Sequence, residues 1–239
     1  MTIHLIGNSH VVFLRQFILA MEEMPLPLPI VFYAANNSDY KHGTFTFDHN
    51  RLRHSNGDVA AGWARSSGKR EVTISPNDVV LVLGFDDYDE RYHFLSADLG
   101  FISEACLADV HADQLHRLPS YHLVKSLHSG GCRARAAVVD PPLITLKLQR
   151  AKLAGRLVNE KRFRDLIEFQ KARFAELGAL SIGQAEETLA RDDASIWSEK
   201  ETMHQDGFHL GPGGVSAVMS SIGAFMSQDA EQIADPLIS

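Results

Sequence analysis

Three side chains far apart in the sequence have the types and spacing of an activated nucleophile. Ser9 stands in the segment GNSH, directly after a short apolar run of strand length. A serine on such a strand-to-helix turn either caps the helix or acts as a nucleophile. Asp206 and His209 are three residues apart, a spacing that brings both side chains to one side of a turn. They are either turn and capping residues or an aspartate that orients a histidine, which then takes the proton from the Ser9 hydroxyl.

Other polar groups are candidates of lower specificity. The segment GFDD, residues 84–87, follows a central apolar run, and its carboxylates Asp86 and Asp87 are either catalytic or favourable charges in a first helical turn. His10 either faces solvent or contacts a substrate. Several histidines and both cysteines fall between residues 106 and 132, but their spacing matches no zinc signature, so we expect no metal site.

The hydrophobic pattern indicates which elements position these residues. Strands are predicted at 2–7, 30–34, 78–83, 135–140 and 178–182, alternating with helices. This order predicts an α/β fold, a three-layer α/β/α sandwich with a mostly parallel, flavodoxin-like central sheet. Functional groups gather at the carboxyl ends of the strands in such a sheet.

The whole chain, residues 1–239, is expected to form one domain. Residues 36–76 are polar and rich in glycine, and they predict an irregular insertion or a small β excursion. We expect a loop from about 185 to 211 and a loosely held tail over 229–239.

Composition excludes several classes of partner. The net charge of −7 argues against a nucleic-acid partner, and no apolar run reaches the roughly 20 residues needed to span a bilayer. Two cysteines are too few for a disulfide framework, and the first residues lack the pattern of a signal peptide. We therefore expect a cytoplasmic protein with neither a nucleic-acid nor a membrane partner.

Three motifs together resemble the SGNH, or GDSL-type, hydrolases. They are GNSH after the first strand, LGFDD after a central strand and DGFHLGPGG near the end. The family's first block is Gly-Asp-Ser, and here Asn8 takes the middle position. Its Gly-x-Asn-Asp block supplies an asparagine amide to the oxyanion hole, and here Asp86 stands at that position. Its last block, Asp-x-x-His, is matched by Asp206 and His209.

The resemblance implies a serine ester hydrolase that needs no cofactor or metal. Its substrate would be a small-molecule or carbohydrate ester carrying a small acyl group such as acetyl. Ser9 would attack the carbonyl, and His209, oriented by Asp206, would take its proton. The expected oxyanion-hole residues are Ser9, Gly43 and Asp86. The expected substrate contacts are Asn8, His10, Gly84 and Asp87.

Two other functions remain open, and the aspartate at position 86 is the reason for the first of them. It lacks the amide donor, and a donor in an oxyanion hole is worth about 2.7–4 kcal/mol. Asn8, Asn36 or Asn37 could supply a donor instead. Without one, the protein would be a non-catalytic ligand-binding protein of the same fold. An acyltransferase using the same three residues is the other alternative.

Overall fold

Five parallel strands form the central sheet of the computed structural model. The structure describes residues 1–21, 28–84, 95, 103–192 and 195–232, and it describes 228–232 as backbone only. Counting all strands in chain order, the five are β1 (Ile3–Gly7), β2 (Ile30–Ala34), β6 (Val79–Leu83), β7 (Arg135–Val139) and β8 (Ala179–Ile182). Their order across the sheet is β2-β1-β6-β7-β8, and every neighbouring pair is parallel. The chain leaves β1 first toward β2 and later returns to its other side at β6. Ligands bind at such a switch point in open α/β sheets.

Helices cover both faces of this sheet, which confirms the predicted three-layer sandwich. On one face lie α1 (Ser9–Ala20) and α8 (Pro212–Gln232). On the other lie α3 (Gly57–Ser67), α4 (Glu104–Arg117), α5 (Pro119–Ser129) and α7 (Glu160–Glu176). Two short helices complete the set in the described residues, α2 (Asn37–Tyr40) and α6 (Leu146–Lys152).

The central strands are buried on both faces, and for this reason their sequences are continuous apolar runs. In β1, Ile3 and Leu5 pack in the core that contains α1 and α8, whereas Ile6 packs in the opposite core. All five residues of β6 are at most 1% exposed. Burying each such side chain stabilises the fold by about 1.5–3 kcal/mol.

Of the two alternatives for residues 36–76, the structure shows the small β excursion and not an irregular insertion. These residues contain a three-stranded antiparallel sheet formed by β3 (Phe45–Asp48), β4 (Arg51–His54) and β5 (Val72–Thr73). Helix α3 lies between β4 and β5 in the sequence. The helix begins where the Asn56 side chain accepts a hydrogen bond from the backbone of Asp58, and it ends at Gly68 in the left-handed region. Both are ordinary start and stop signals of a helix. The fully buried Trp63 ties the helix to the core.

The predicted loop and tail also differ from the structure. Within 185–211 the chain forms an antiparallel pair, β9 (Leu189–Asp192) and β10 (Ser195–Ser198). Residues 229–232 continue α8, and the rest of the expected tail, 233–239, lies outside the described residues. Neither of these short strands carries a long alternation of apolar and polar residues. Their conformation therefore depends on the pairing of β9 with β10 and not on a local sequence pattern.

A buried hydrogen-bonded pair, His4 and Asp78, lies at the amino end of the sheet. Asp78 accepts hydrogen bonds from the backbone N–H groups of Thr2, at 2.7 Å, and Ser75, at 2.8 Å. The Nε2 of His4 lies 3.1 Å from its second oxygen. Burial alone would raise the pKa of Asp78, but these donors outweigh it and hold that pKa below its usual value. The pair lies at the opposite end of β1 from Ser9, so it stabilises the strand without touching the candidate site.

Within the described ranges, no helix is long and apolar enough to cross a membrane. In the same ranges, no three His, Cys, Asp or Glu side chains come together as a metal site would require.

Candidate active site

Ser9 is the first residue of α1 and lies directly beyond β1. The cap of this helix is Asn8, whose Oδ1 accepts a 3.0 Å hydrogen bond from the backbone of His10. The Ser9 hydroxyl is therefore not used as the helix cap. The Asn8 amide also donates to the carbonyl of Gly84 and so links the ends of β1 and β6. Because both polar groups of Asn8 are engaged and the side chain is buried, the structure places it in the framework of the turn, not at a substrate surface.

Gly84 makes close contact with this turn. Its φ is +79°, and a Cβ there would lie 2.4 Å from Asn8 Oδ1 and 2.8 Å from the ring of His10. Glycine is required on both grounds, because other residues rarely adopt this φ and no space is left for a side chain. Gly84 thus packs against Asn8 and His10, the two residues on either side of Ser9.

Ser9, His209 and Asp206 form one chain of hydrogen bonds. His209 Nε2 lies 2.9 Å from Ser9 Oγ, and His209 Nδ1 lies 2.7 Å from Asp206 Oδ2. Ser9 and His209 are 200 residues apart in sequence. An imidazole held in this way by a carboxylate presents its free nitrogen to the hydroxyl, which is the geometry of an activated serine.

A tight turn presents Asp206 and His209 from the segment before α8. Met203 pairs with Leu210 across the turn, and the carbonyl of His209 accepts a 2.7 Å bond from the backbone of His204. At the tip, Gly207 has φ +69°, and its carbonyl accepts a 3.1 Å bond from the backbone of Thr145. The left-handed residue reverses the chain, so that Asp206 and His209 point to the same side.

Asp206 is held as an anion. Its Oδ1 accepts backbone hydrogen bonds from Phe208, at 2.8 Å, and from His209, at 3.0 Å. Partial burial would raise its pKa, but the bond from the His209 ring and the two backbone donors together hold the pKa far below its usual range. A carboxylate that stays ionised can stabilise a positive charge on His209.

His10 lies beneath His209 and not at the surface. It is 1% exposed, it stacks on Phe208 with centroids 5.7 Å apart, and its ring centroid is 4.9 Å from that of His209. Burial, with a smaller contribution from His209, lowers its pKa to about 3. It is therefore neutral near pH 7 and adds no positive charge beside His209. The structure gives it a packing role where the sequence suggested a substrate contact.

The structure describes two of the three expected oxyanion-hole residues, Ser9 and Gly43. The backbone N–H of Ser9 stands in the first turn of α1 and makes no hydrogen bond within the described ranges. Gly43 packs instead on the turn at residues 54–56, where a Cβ would lie 2.7 Å from Ser55 Oγ. Asp86 and Asp87 lie outside the described residues. Among the alternative donors, Asn36 donates to Asp39 at 3.1 Å.

Sequence reasoning missed two aromatic residues that support the end of β1. The Tyr40 hydroxyl donates to the carbonyl of Gly7 at 3.1 Å and accepts from Trp63 Nε1 at 2.7 Å. Burial raises the pKa of Tyr40, so it remains a neutral donor. No local pattern could have found this contact, because it joins three separate elements.

Sequence reasoning also missed Phe13, which contacts His209, and His204, which lies beside Asp206. The Phe13 ring of α1 stacks on His209, with centroids 4.0 Å apart and planes at 9°. His204 Nδ1 lies 3.2 Å from Asp206 Oδ2. The signal for His204 was available, since it precedes Asp206 by two residues in the segment HQDGFH.

A cavity of about 610 Å³ opens beside this group. Its wall includes Asp206, His204, Met203, Trp197 and Leu148. A volume of this size is within the usual range for small-molecule sites.

Comparison with known proteins shows a likeness of fold. No family model and no curated protein matches the chain. Among solved structures, a Streptococcus pneumonia protein provisionally assigned as a platelet activating factor is similar at a TM-score of 0.52 and 14% identity, over 93% of this chain and 82% of that one. At that identity the likeness shows a shared fold alone.

Two other solved structures are similar at 11% identity. They are a carbohydrate esterase family 3 protein from Talaromyces cellulolyticus (TM-score 0.45, 97% of this chain and 99% of that one) and a carbohydrate acetylesterase from Sinorhizobium meliloti (0.44, 95% and 98%). TM-scores below 0.5 say nothing about the activity of this chain.

Proposed function

We propose that this protein is a serine ester hydrolase that cleaves a small acyl ester, such as an acetyl ester of a small molecule or carbohydrate, through an acyl-enzyme. Ser9 is the nucleophile, His209 the general base and acid, and Asp206 the residue that orients His209. The observation that supports this function is the hydrogen-bond chain of 2.9 Å and 2.7 Å through these three side chains.

In the first half-reaction, Ser9 Oγ forms a bond to the ester carbonyl carbon while its proton passes to His209 Nε2. The carbonyl oxygen becomes an oxyanion, and the backbone N–H of Ser9 at the positive end of α1 can donate to it. His209 then gives its proton to the leaving alcohol as the C–O bond breaks. The acyl group remains on Ser9.

In the second half-reaction, water attacks the acyl carbon and gives a proton to His209. The acid is released when that proton returns to Ser9 Oγ. Two features favour proton uptake by His209: Asp206 is anionic on one side, and the buried His10 is neutral on the other.

The test combines fluorophosphonate labelling with hydrolysis of p-nitrophenyl acetate, because the probe reports an activated serine whatever the natural ester is. We expect peptide mapping to locate the label on Ser9, and Ser9→Ala to abolish both labelling and hydrolysis. A matched control is Ser103→Ala, since Ser103 is exposed and serves as the cap of α4. A folded protein that is not labelled, or a Ser9→Ala variant that is labelled as fast as the parent, would refute the function. If an added sugar acceptor became acylated at the expense of hydrolysis, the reaction would be acyl transfer.

A further inference from the structure

Phe13 lies on the same face of α1 as Ser9. It follows Ser9 by four positions in this helix, and residues at that spacing are neighbours on the helix surface. Long side chains of a helix point back toward its N-terminus, so the Phe13 ring extends toward the end that carries Ser9. The ring of His209, whose Nε2 lies 2.9 Å from Ser9 Oγ, packs directly on it.

The rings of Phe13 and His209 lie face to face. Their centroids are 4.0 Å apart and their planes differ by 9°. Carbon atoms in contact are about 3.5 Å apart, so this centroid distance leaves a sideways offset of no more than about 2 Å. The imidazole therefore lies over the face of the phenyl ring. The other described rings that pack against His209 are tilted to it, that of His10 by 53° and that of Phe208 by 66°.

The face of a phenyl ring carries partial negative charge and attracts a cation placed over it. In the proposed reaction, His209 becomes such a cation when it takes the proton of Ser9. Its side chain is 15% exposed, so little water is available to stabilise the charge. Asp206 stabilises it in the plane of the imidazole, through the 2.7 Å hydrogen bond to Nδ1. Phe13 covers a face of the imidazole, where no hydrogen bond can form, and its contribution is separate from that of Asp206.

We propose that Phe13 is a positioning residue, which holds the His209 ring parallel to its own and stabilises the positive charge of His209 by a cation–π interaction. This inference rests on the proposed function, because His209 acquires that charge only if it activates Ser9. Phe13 acts through His209 and exchanges no proton and no bond in the reaction.

Fluorinated phenylalanines test the charge of the ring face without removing the ring. Each fluorine draws electron density away from the face and weakens its attraction for a cation, while the shape of the ring is nearly preserved. The full chain is prepared with mono-, di- or trifluorinated phenylalanine at position 13. We expect the rate of fluorophosphonate labelling of Ser9 to fall with each added fluorine, to about one fifth of the parent rate in the trifluorinated protein.

The same series at Phe17 is the matched control. Phe17 stands one turn further along α1, is half-buried in the core between α1 and α8, and has no ring contact in the described part of the chain. Fluorination there should leave the labelling rate unchanged.

A conventional substitution gives a second measurement. Phe13→Leu keeps an apolar side chain against His209 and removes the aromatic face. We expect it to lower kcat for p-nitrophenyl acetate about tenfold with little change in KM, because the charge on His209 develops only after the ester is bound. Circular dichroism checks that Phe13→Leu is folded, and the fluorinated series decides the question if it is not.

The outcomes distinguish this inference from the function beneath it. Equal labelling rates across the series at position 13 would overturn the cation–π role, even if Phe13→Leu were slow, and would leave the proposed function standing. A similar stepwise fall at position 17 would also overturn it, because the effect would then not come from the face that covers His209. A Ser9→Ala variant that is labelled as fast as the parent would overturn the proposed function itself.

Discussion

Replacing Asp206 by asparagine removes the negative charge from the hydrogen-bond chain while nearly preserving its shape. When His209 takes the Ser9 proton, a positive charge develops about 4 Å from the carboxylate, where two unit charges attract by about 4 kcal/mol at an effective dielectric of about 20. Because the Asp206 side chain is 38% exposed, solvent screening reduces this to about 2 kcal/mol. Counted instead as a charge-assisted hydrogen bond, the same contact is worth about 1.5–3 kcal/mol, in agreement with this value. A loss of that size predicts a roughly 10- to 150-fold decrease in kcat/KM for Asp206→Asn.

The assay is hydrolysis of p-nitrophenyl acetate together with the rate of fluorophosphonate labelling. Asp109→Asn, at an exposed aspartate of α4, is the matched control and should leave both rates unchanged. Circular dichroism and urea unfolding check that Asp206→Asn remains folded. A folded Asp206→Asn with kcat/KM within fivefold of the parent would refute the reasoning, because it would mean that the 2.7 Å contact to His209 contributes nothing to activation of Ser9.

Two further predictions concern the framework. Gly84→Ala should destabilise by about 2 kcal/mol or more and lower the labelling rate, since its Cβ would displace Asn8. Gly68→Ala, at φ +78° but in open space, should cost only about 1 kcal/mol in urea unfolding, and equal costs would contradict the clash. The pKa of Asp78 is lower in the folded protein than in the unfolded chain, where it is about 4, so this carboxylate contributes to the free energy of unfolding at pH values above about 4. That contribution is lost as the pH falls through the folded-state pKa. Urea titrations should therefore show the parent losing stability below about pH 4 more steeply than Asp78→Asn, and parallel curves would count against this account.

Local patterns were sufficient for the central sheet. The five predicted strands agree with the structure to within one residue at every end, because strands buried on both faces leave continuous apolar runs. The spacing of Asp206 and His209, and a serine at the end of β1, were enough to nominate the three side chains that the structure brings together. Helix α3 was missed although Asn56 and Gly68 mark its ends, because the polar residues around it suggested an irregular segment.

The remaining features depended on contacts between distant parts of the chain. Sequence alone determined the layer order and the three residues of the hydrogen-bond chain, since periodicity and spacing are local properties. Only the tertiary structure decided that Asn8 caps the turn, that His10 is buried and neutral, and that Phe13 stacks on His209. Each of these depends on what packs against the residue. Burial and hydrogen-bond partners are set by elements up to 200 residues away, and no local pattern records them.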